Sequence, residues 1–141
     1  MIVLGIDPGT RKCGLALIDA TGGPPAVLEI VPLDGFGERL AALVAAHPIG
    51  IAAIGRGTNA ATIVMAVQRT GLAHVLVDER ETTLRARARF FADHPPRGWR
   101  RLVPRGMLLP DRPIDDYAAL LIAERYLARV AEPAGAGRSA R

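Results

Sequence analysis

The chain has 141 residues, half of them hydrophobic, with 18 basic against 14 acidic side chains and a net charge of +4. That is material for one domain with a substantial core. No apolar run reaches the roughly 18 residues of a membrane-crossing helix, and a single cysteine, Cys13, excludes an internal disulfide or a multi-cysteine zinc site.

Met1 to Gly5 carry neither a basic leader nor a cleavage site, so the expectation is a cytoplasmic protein. Its basic balance favours an acidic partner such as nucleic acid. Ile2 to Asp7 is a short apolar run that ends in the turn residues Pro8-Gly9-Thr10, which predicts a strand and a tight turn. Cys13 to Ile18 is a second strand, near enough to form a hairpin. After the Thr21-Gly22-Gly23-Pro24-Pro25 turn signal, Ala26 to Val31 completes an antiparallel meander.

The period then changes. Phe36, Leu40, Leu43, Val44 and His47 recur at helical spacing, and Pro48 ends the helix. Ile49 to Ile54 is continuously apolar, as a strand buried on both faces would be. Gly55 to Asn59 reads as a loop ending in a good N-cap, ahead of a helix from Ala60 to Arg69. His74 to Val77 is a fifth strand and Thr82 to Ala92 a third helix. Residues 93–113 are rich in Pro, Gly and Arg without periodicity; Ile114 to Val130 is a long amphipathic helix. The predicted class is α/β: a five-stranded mixed sheet, three antiparallel strands then two parallel ones reached through helices, flanked by helices. Residues 1–132 form one domain, and 133–141 a small-residue tail with too little apolar surface to order itself.

Three groups of carboxylates occupy element ends. Asp7 closes the first strand at the edge of the core, where an unpaired charge is poorly hydrated. Asp78, Glu79 and Glu81 surround Arg80 after the last strand, at the sheet end where open α/β folds place their ligand crevice. Asp115 and Asp116 start the last helix, with Asp111 four residues earlier. Each has an ordinary explanation taken alone: turn chemistry for Asp7, and favourable helix-start charge for the others. Together they suit phosphodiester hydrolysis. A two-metal nuclease needs carboxylates from separate elements converging on cations about 4 Å apart, which clamp the attacking and leaving oxygens. All-oxygen ligands select Mg²⁺ or Mn²⁺ over zinc. Cys13 lies in a strand and is expected to be a buried apolar group; His47, His74 and His94 are scattered and form no ligand pair.

From Arg80 to Arg112 the chain carries nine arginines against three acids, half of all its cations. Arg85 and Arg89 share a helix face. Arg97-Gly98-Trp99-Arg100-Arg101 sets an indole among guanidinium groups, suited to stacking on a base while arginines hold phosphates. A solvated helix face and a Trp99 folded onto the core would explain the same residues. Candidate nucleic-acid contacts are Thr10 and Arg11 on the first turn, then Arg80, Arg85, Arg89, Arg97, Trp99, Arg100, Arg101 and Arg105.

Gly5-Ile6-Asp7-Pro8-Gly9-Thr10-Arg11-Lys12-Cys13-Gly14-Leu15-Ala16 resembles the opening strand, turn and strand of the YqgF (RuvX) proteins and of the RuvC Holliday-junction resolvases. Val77-Asp78-Glu79-Arg80-Glu81-Thr82-Thr83 resembles the YqgF motif at the end of strand five. Ile114-Asp115-Asp116-Tyr117-Ala118-Ala119-Leu120-Leu121-Ile122 is similar to the last helix of that family. The three motifs follow the family's order across nearly the whole chain. The resemblance implies an RNase H-like fold and metal-dependent cleavage of structured nucleic acid, in 16S ribosomal RNA precursor maturation or in resolution of branched DNA. It also implies that Asp7, Glu79 and Asp115 are the catalytic acids, with Asp78 the alternative for the middle role and Asp116 a further possible ligand. RuvC-type resolution would call for a homodimer. Two departures stand out. Gly55-Arg56-Gly57-Thr58 replaces the usual Gly-Leu-Pro, and the arginine-rich loop is longer than in typical members. Two rival functions are a binder that kept the fold and lost the metal, and an actin-type ATPase; the latter shares the Asp-x-Gly-Thr turn but needs two domains.

Overall fold

The computed structural model describes residues 1–78, 82–98, 102, 110 and 113–131, with residues 82–84 described by backbone alone. Five strands form one sheet: β1 (Ile2–Asp7), β2 (Lys12–Asp19), β3 (Val27–Pro32), β4 (Ile49–Gly55) and β5 (His74–Val77). Their spatial order is β3-β2-β1-β4-β5. β1 pairs antiparallel with β2, and β2 with β3, while β4 runs parallel to β1 and β5 parallel to β4. A 3₁₀ turn over Leu33–Gly35 leads into α1 (Phe36–Ala46); α2 (Ala60–Arg69), α3 (Thr82–Asp93) and α4 (Asp115–Ala131) complete the fold. The expected mixed sheet is present, and the parallel strands add beside β1, leaving β3 as an edge. Among the described residues no helix is long and apolar enough to cross a membrane.

Alternation along the strands divides the core in two. On one face Leu4, Ile6, Cys13, Leu15, Leu17 and Ile54 meet Phe36, Leu40 and Leu43 of α1 and Ile63 and Val67 of α2. On the other, Val3, Ala16, Ile18, Ala53 and Val77 meet Phe90 and Phe91 of α3 and the Tyr117–Ala123 stretch of α4. Both faces of the sheet are therefore covered, which is why β4 is apolar without interruption.

The α4 face of β1 and β2 carries small residues, and two of them govern how closely the helix sits. A Cβ built on Gly5 would lie 2.1 Å from the Ala119 carbonyl oxygen, and one on Gly14 only 1.8 Å from the Asp115 oxygen. Main chain of α4 thus occupies the space that side chains would fill. Asp115, Ala119 and Ala123 recur at a spacing of four and form the contacting ridge.

Gly14→Ala should destabilise the protein by about 1–3 kcal/mol, because helix main chain has to move away. Gly37→Ala in α1 meets nothing within 4 Å and should stabilise by about 0.5 kcal/mol through a less flexible unfolded chain. Urea melts of the two variants provide the comparison, and equal stabilities would refute the close-packing account.

Candidate active site

Asp7 ends β1, and its partner across the hairpin is Gly14, the residue on which the Asp115 main chain rests. A carboxylate from the first strand and one from the last helix are thereby brought to the same corner. Both act on one neighbour: the negative charges of Asp7 and Asp115 each help to raise the Cys13 thiol. Burial is the larger cause there and, against a lowering hydrogen bond from the Gly9 amide, the thiol is pushed up to about 11. Cys13 is fully buried and stays a neutral thiol near pH 7, as expected for a packing residue.

Asp115 is held above the ordinary carboxylate range, first by burial and additionally by the charge of Asp116; Lys12 pulls it back. Lys12 was not among the residues singled out from the sequence, although it is the only lysine among 18 cations. Its parity on β2 places it, with Gly14 and Ala16, on the α4 side. Asp116 is only 4% exposed, and its Oδ1 accepts the Tyr117 amide at 2.9 Å. It stands behind Asp115 as a buried acid. Tyr117 donates its hydroxyl to Asp93 Oδ2 at 2.9 Å and packs edge-on against Phe90, joining the start of α4 to the end of α3.

The turn that follows Asp7 is anchored from outside the hairpin. Asn59 Nδ2 donates to the Gly9 carbonyl at 2.9 Å and to the Thr10 carbonyl at 3.4 Å. The Leu33 amide donates to the Arg11 carbonyl at 2.8 Å. A Cβ on Gly9 would stand 2.4 Å from the Lys12 carbonyl oxygen, so only glycine lets the turn close this tightly. Asn59 precedes α2 as the sequence suggests, but it does not cap it: its side chain makes no capping bond and its backbone is left-handed, with φ 66°. The cap expectation failed because the amide's donor side finds two carbonyls fifty residues upstream, a partner invisible to local spacing.

The other candidates separate. Asp78 is half-buried directly after β5, while Glu79, Arg80, Trp99, Arg100, Arg101 and Arg105 lie outside the described residues. Thr10 and Arg11 are exposed on the anchored turn, and Arg97 is exposed beyond α3. Arg85 lines a cleft of about 230 Å³ between α3 and α4, together with Leu121, Glu124, Arg125 and Ala128. Arg89 is committed elsewhere: its Nη1 and Nη2 donate to the two Glu124 oxygens at 3.0 and 3.2 Å. Among the described residues no three His, Cys, Asp or Glu side chains group closely enough to hold a metal ion.

No protein-family model matches the chain. A Streptococcus uberis protein named as a pre-16S rRNA nuclease is 33% identical over 147 aligned residues, covering 92% of this chain and 99% of that one. A stretch of 63 residues is 41% identical to protein tex of Bordetella pertussis; it takes in 40% of this chain and only 8% of that much longer protein. Among solved structures, Thermus thermophilus RuvC in complex with a Holliday junction substrate has a TM-score of 0.59 at 17% identity, covering 93% of this chain and 96% of that chain. A second Thermus thermophilus RuvC structure gives the same score. The fold is RNase H-like.

Two outcomes test the local electrostatics. Cys13 should resist thiol reagents at pH 8 until the protein unfolds; rapid native labelling would contradict its buried, neutral state. Asp115→Asn should melt higher than wild type at pH 7, since a carboxyl with a raised folded pKa costs stability once ionised. That cost is absent below the unfolded pKa and grows as pH rises through the folded one, so the gain should vanish at acid pH. A pH-independent difference would point to another cause.

Proposed function

Since the chain belongs to the YqgF family, we propose that it is a divalent-metal-dependent endonuclease that hydrolyses phosphodiester bonds in structured nucleic acid. Substrates of this class are precursor 16S rRNA, as the name of the Streptococcus uberis relative suggests, and branched DNA, as bound to the RuvC neighbour. The observation that carries the reading is the meeting of Asp7 and Asp115 across Gly14. Burying Asp115 next to the acid of Asp116 is unfavourable, and a bound cation offsets that cost.

Mg²⁺ or Mn²⁺ fits these hard oxygen donors. Asp7 and Asp115 would hold it, with Glu79 as the third acid and Asp78 as the alternative. When bound, such an ion supplies Lewis-acid charge to the scissile phosphate and lowers the pKa of a coordinated water. Lys12 adds fixed positive charge beside Asp115, and Asp116 lies behind it. Thr10, Arg11, Arg80, Arg85, Arg97, Trp99, Arg100, Arg101 and Arg105 are the residues assigned to gripping the substrate. Arg89 contributes through its Glu124 pair, which holds α3 against α4. The protein acts in the cytoplasm, as a homodimer where a four-way junction has to be cut twice.

Cleavage of folded precursor rRNA, linear DNA and a four-way junction, with Mg²⁺ or Mn²⁺ and with chelator, is the direct test. Asp7→Asn and Asp115→Asn should each reduce cutting about a thousandfold, corresponding to several kcal/mol of lost charge stabilisation, and chelation should abolish it. Cutting that survives Asp7→Asn would remove the assigned site; binding without cutting under every metal would make the protein a non-catalytic binder. Arg100→Ala with Arg101→Ala should weaken binding and lower the slope of log affinity against log salt by about 1.4–1.8. An unchanged slope would exclude phosphate contact by these side chains.

A further inference from the structure

The turn that carries Asp7 has few means of holding itself. Pro8 offers no amide hydrogen, and Gly9 lacks a side chain to pack. Its polar groups are taken up by three separate elements. The Gly9 amide donates to the Cys13 thiol of β2, the Arg11 carbonyl accepts from Leu33 after β3, and the Gly9 and Thr10 carbonyls accept from Asn59 after β4. Of these, only the Asn59 bonds come from a side chain whose own backbone is in a disfavoured conformation.

Asn59 is the one non-glycine residue with positive φ among the described residues. Glycine would take that conformation without steric cost, so the backbone alone does not call for asparagine. Helix α2 does not call for it either. Its first turn is met by main chain, with the Ala60 amide bonded to the Gly57 carbonyl and the Ile63 amide to the Asn59 carbonyl. Among the described residues, the side chain's two bonds reach the Asp7 turn. Asparagine joins tolerance of the left-handed region to a two-proton donor, and two carbonyls converge on that donor.

We propose that Asn59 is a positioning residue for the nuclease site. Its amide locks the β4–α2 loop onto the β1–β2 turn and so fixes the direction in which Asp7 presents its carboxylate to Asp115. The proposal rests on the nuclease reading of that corner. It predicts that the loop after β4 affects turnover although it contributes no acid between Glu38 and Asp78.

Two variants separate the amide from the backbone. Asn59→Gly keeps the left-handed conformation and removes the donor. Asn59→Asp keeps shape and left-handed tolerance but turns an acceptor toward two carbonyls. In the full-length protein both should fold, with Asn59→Gly melting within a few degrees of wild type. On any nucleic acid the wild type cleaves, kcat should fall roughly ten- to hundredfold in both. KM should stay within about threefold, because most of the proposed substrate contacts, from Arg80 to Arg105, are not on this turn. Independently of activity, amide exchange at Gly9 and Leu33 should accelerate roughly tenfold in Asn59→Gly as the turn loosens. Unchanged exchange at both amides would overturn the lock, and unchanged kcat alongside faster exchange would overturn the positioning role. A wild type that cuts nothing with any metal would instead defeat the nuclease reading, and exchange would still decide the lock.

Discussion

Everything at the acidic corner depends on how closely α4 lies on the sheet. Helices usually stand off a sheet by the height of the intervening side chains. Here Gly5 and Gly14 remove that height, and the main chain of Ala119 and Asp115 drops into the space. Since Gly14 is paired with Asp7, the first turn of the helix arrives beside the last residue of the first strand. A single methyl group at Gly14 would push Asp115 off this position. The glycine is part of the site without offering any chemistry of its own.

That approach has an electrostatic consequence. Asp115 is partly buried, with Asp116 next to it and Asp7 at the same corner, and its carboxyl is held up by burial and by like charge. Lys12 and the positive end of the α4 dipole relieve this only in part. The corner therefore carries negative charge that is not fully relieved. The nearby packing keeps it from relaxing: Tyr117 is fastened to Asp93 and stacked edge-on against Phe90, and Arg89 with Glu124 ties the same two helices further along. The arginine-rich helix thus spends Arg89 on holding the fold. Arg85 and Arg125 flank the cleft between the helices.

The opposite flank of the site is built differently. In the turn after Asp7, carbonyls and amides of a few residues are met by Leu33, Cys13 and Asn59. Strain at Asn59, on the order of 1 kcal/mol for a left-handed side-chain-bearing residue, is offset by the two bonds it gains.

Much of this was determined by the sequence alone. The short apolar runs Ile2 to Asp7 and Cys13 to Ile18 with the turn between them, the helical period of Phe36 to Leu43 and the continuous apolar run at Ile49 set the elements to within a residue or two. The family motifs around Asp7, Asp78 and Asp115 marked the carboxylates, because short-range pattern and local turn chemistry are written in neighbouring residues. What the tertiary structure decided was every relation across the sheet: Gly14 beneath Asp115, Lys12 beside it, Arg89 spent on Glu124 and Asn59 reaching back to Gly9. Those contacts join residues tens of positions apart, and hydrogen bonds, charges and main-chain clearances act through space. No spacing rule along the chain contains them.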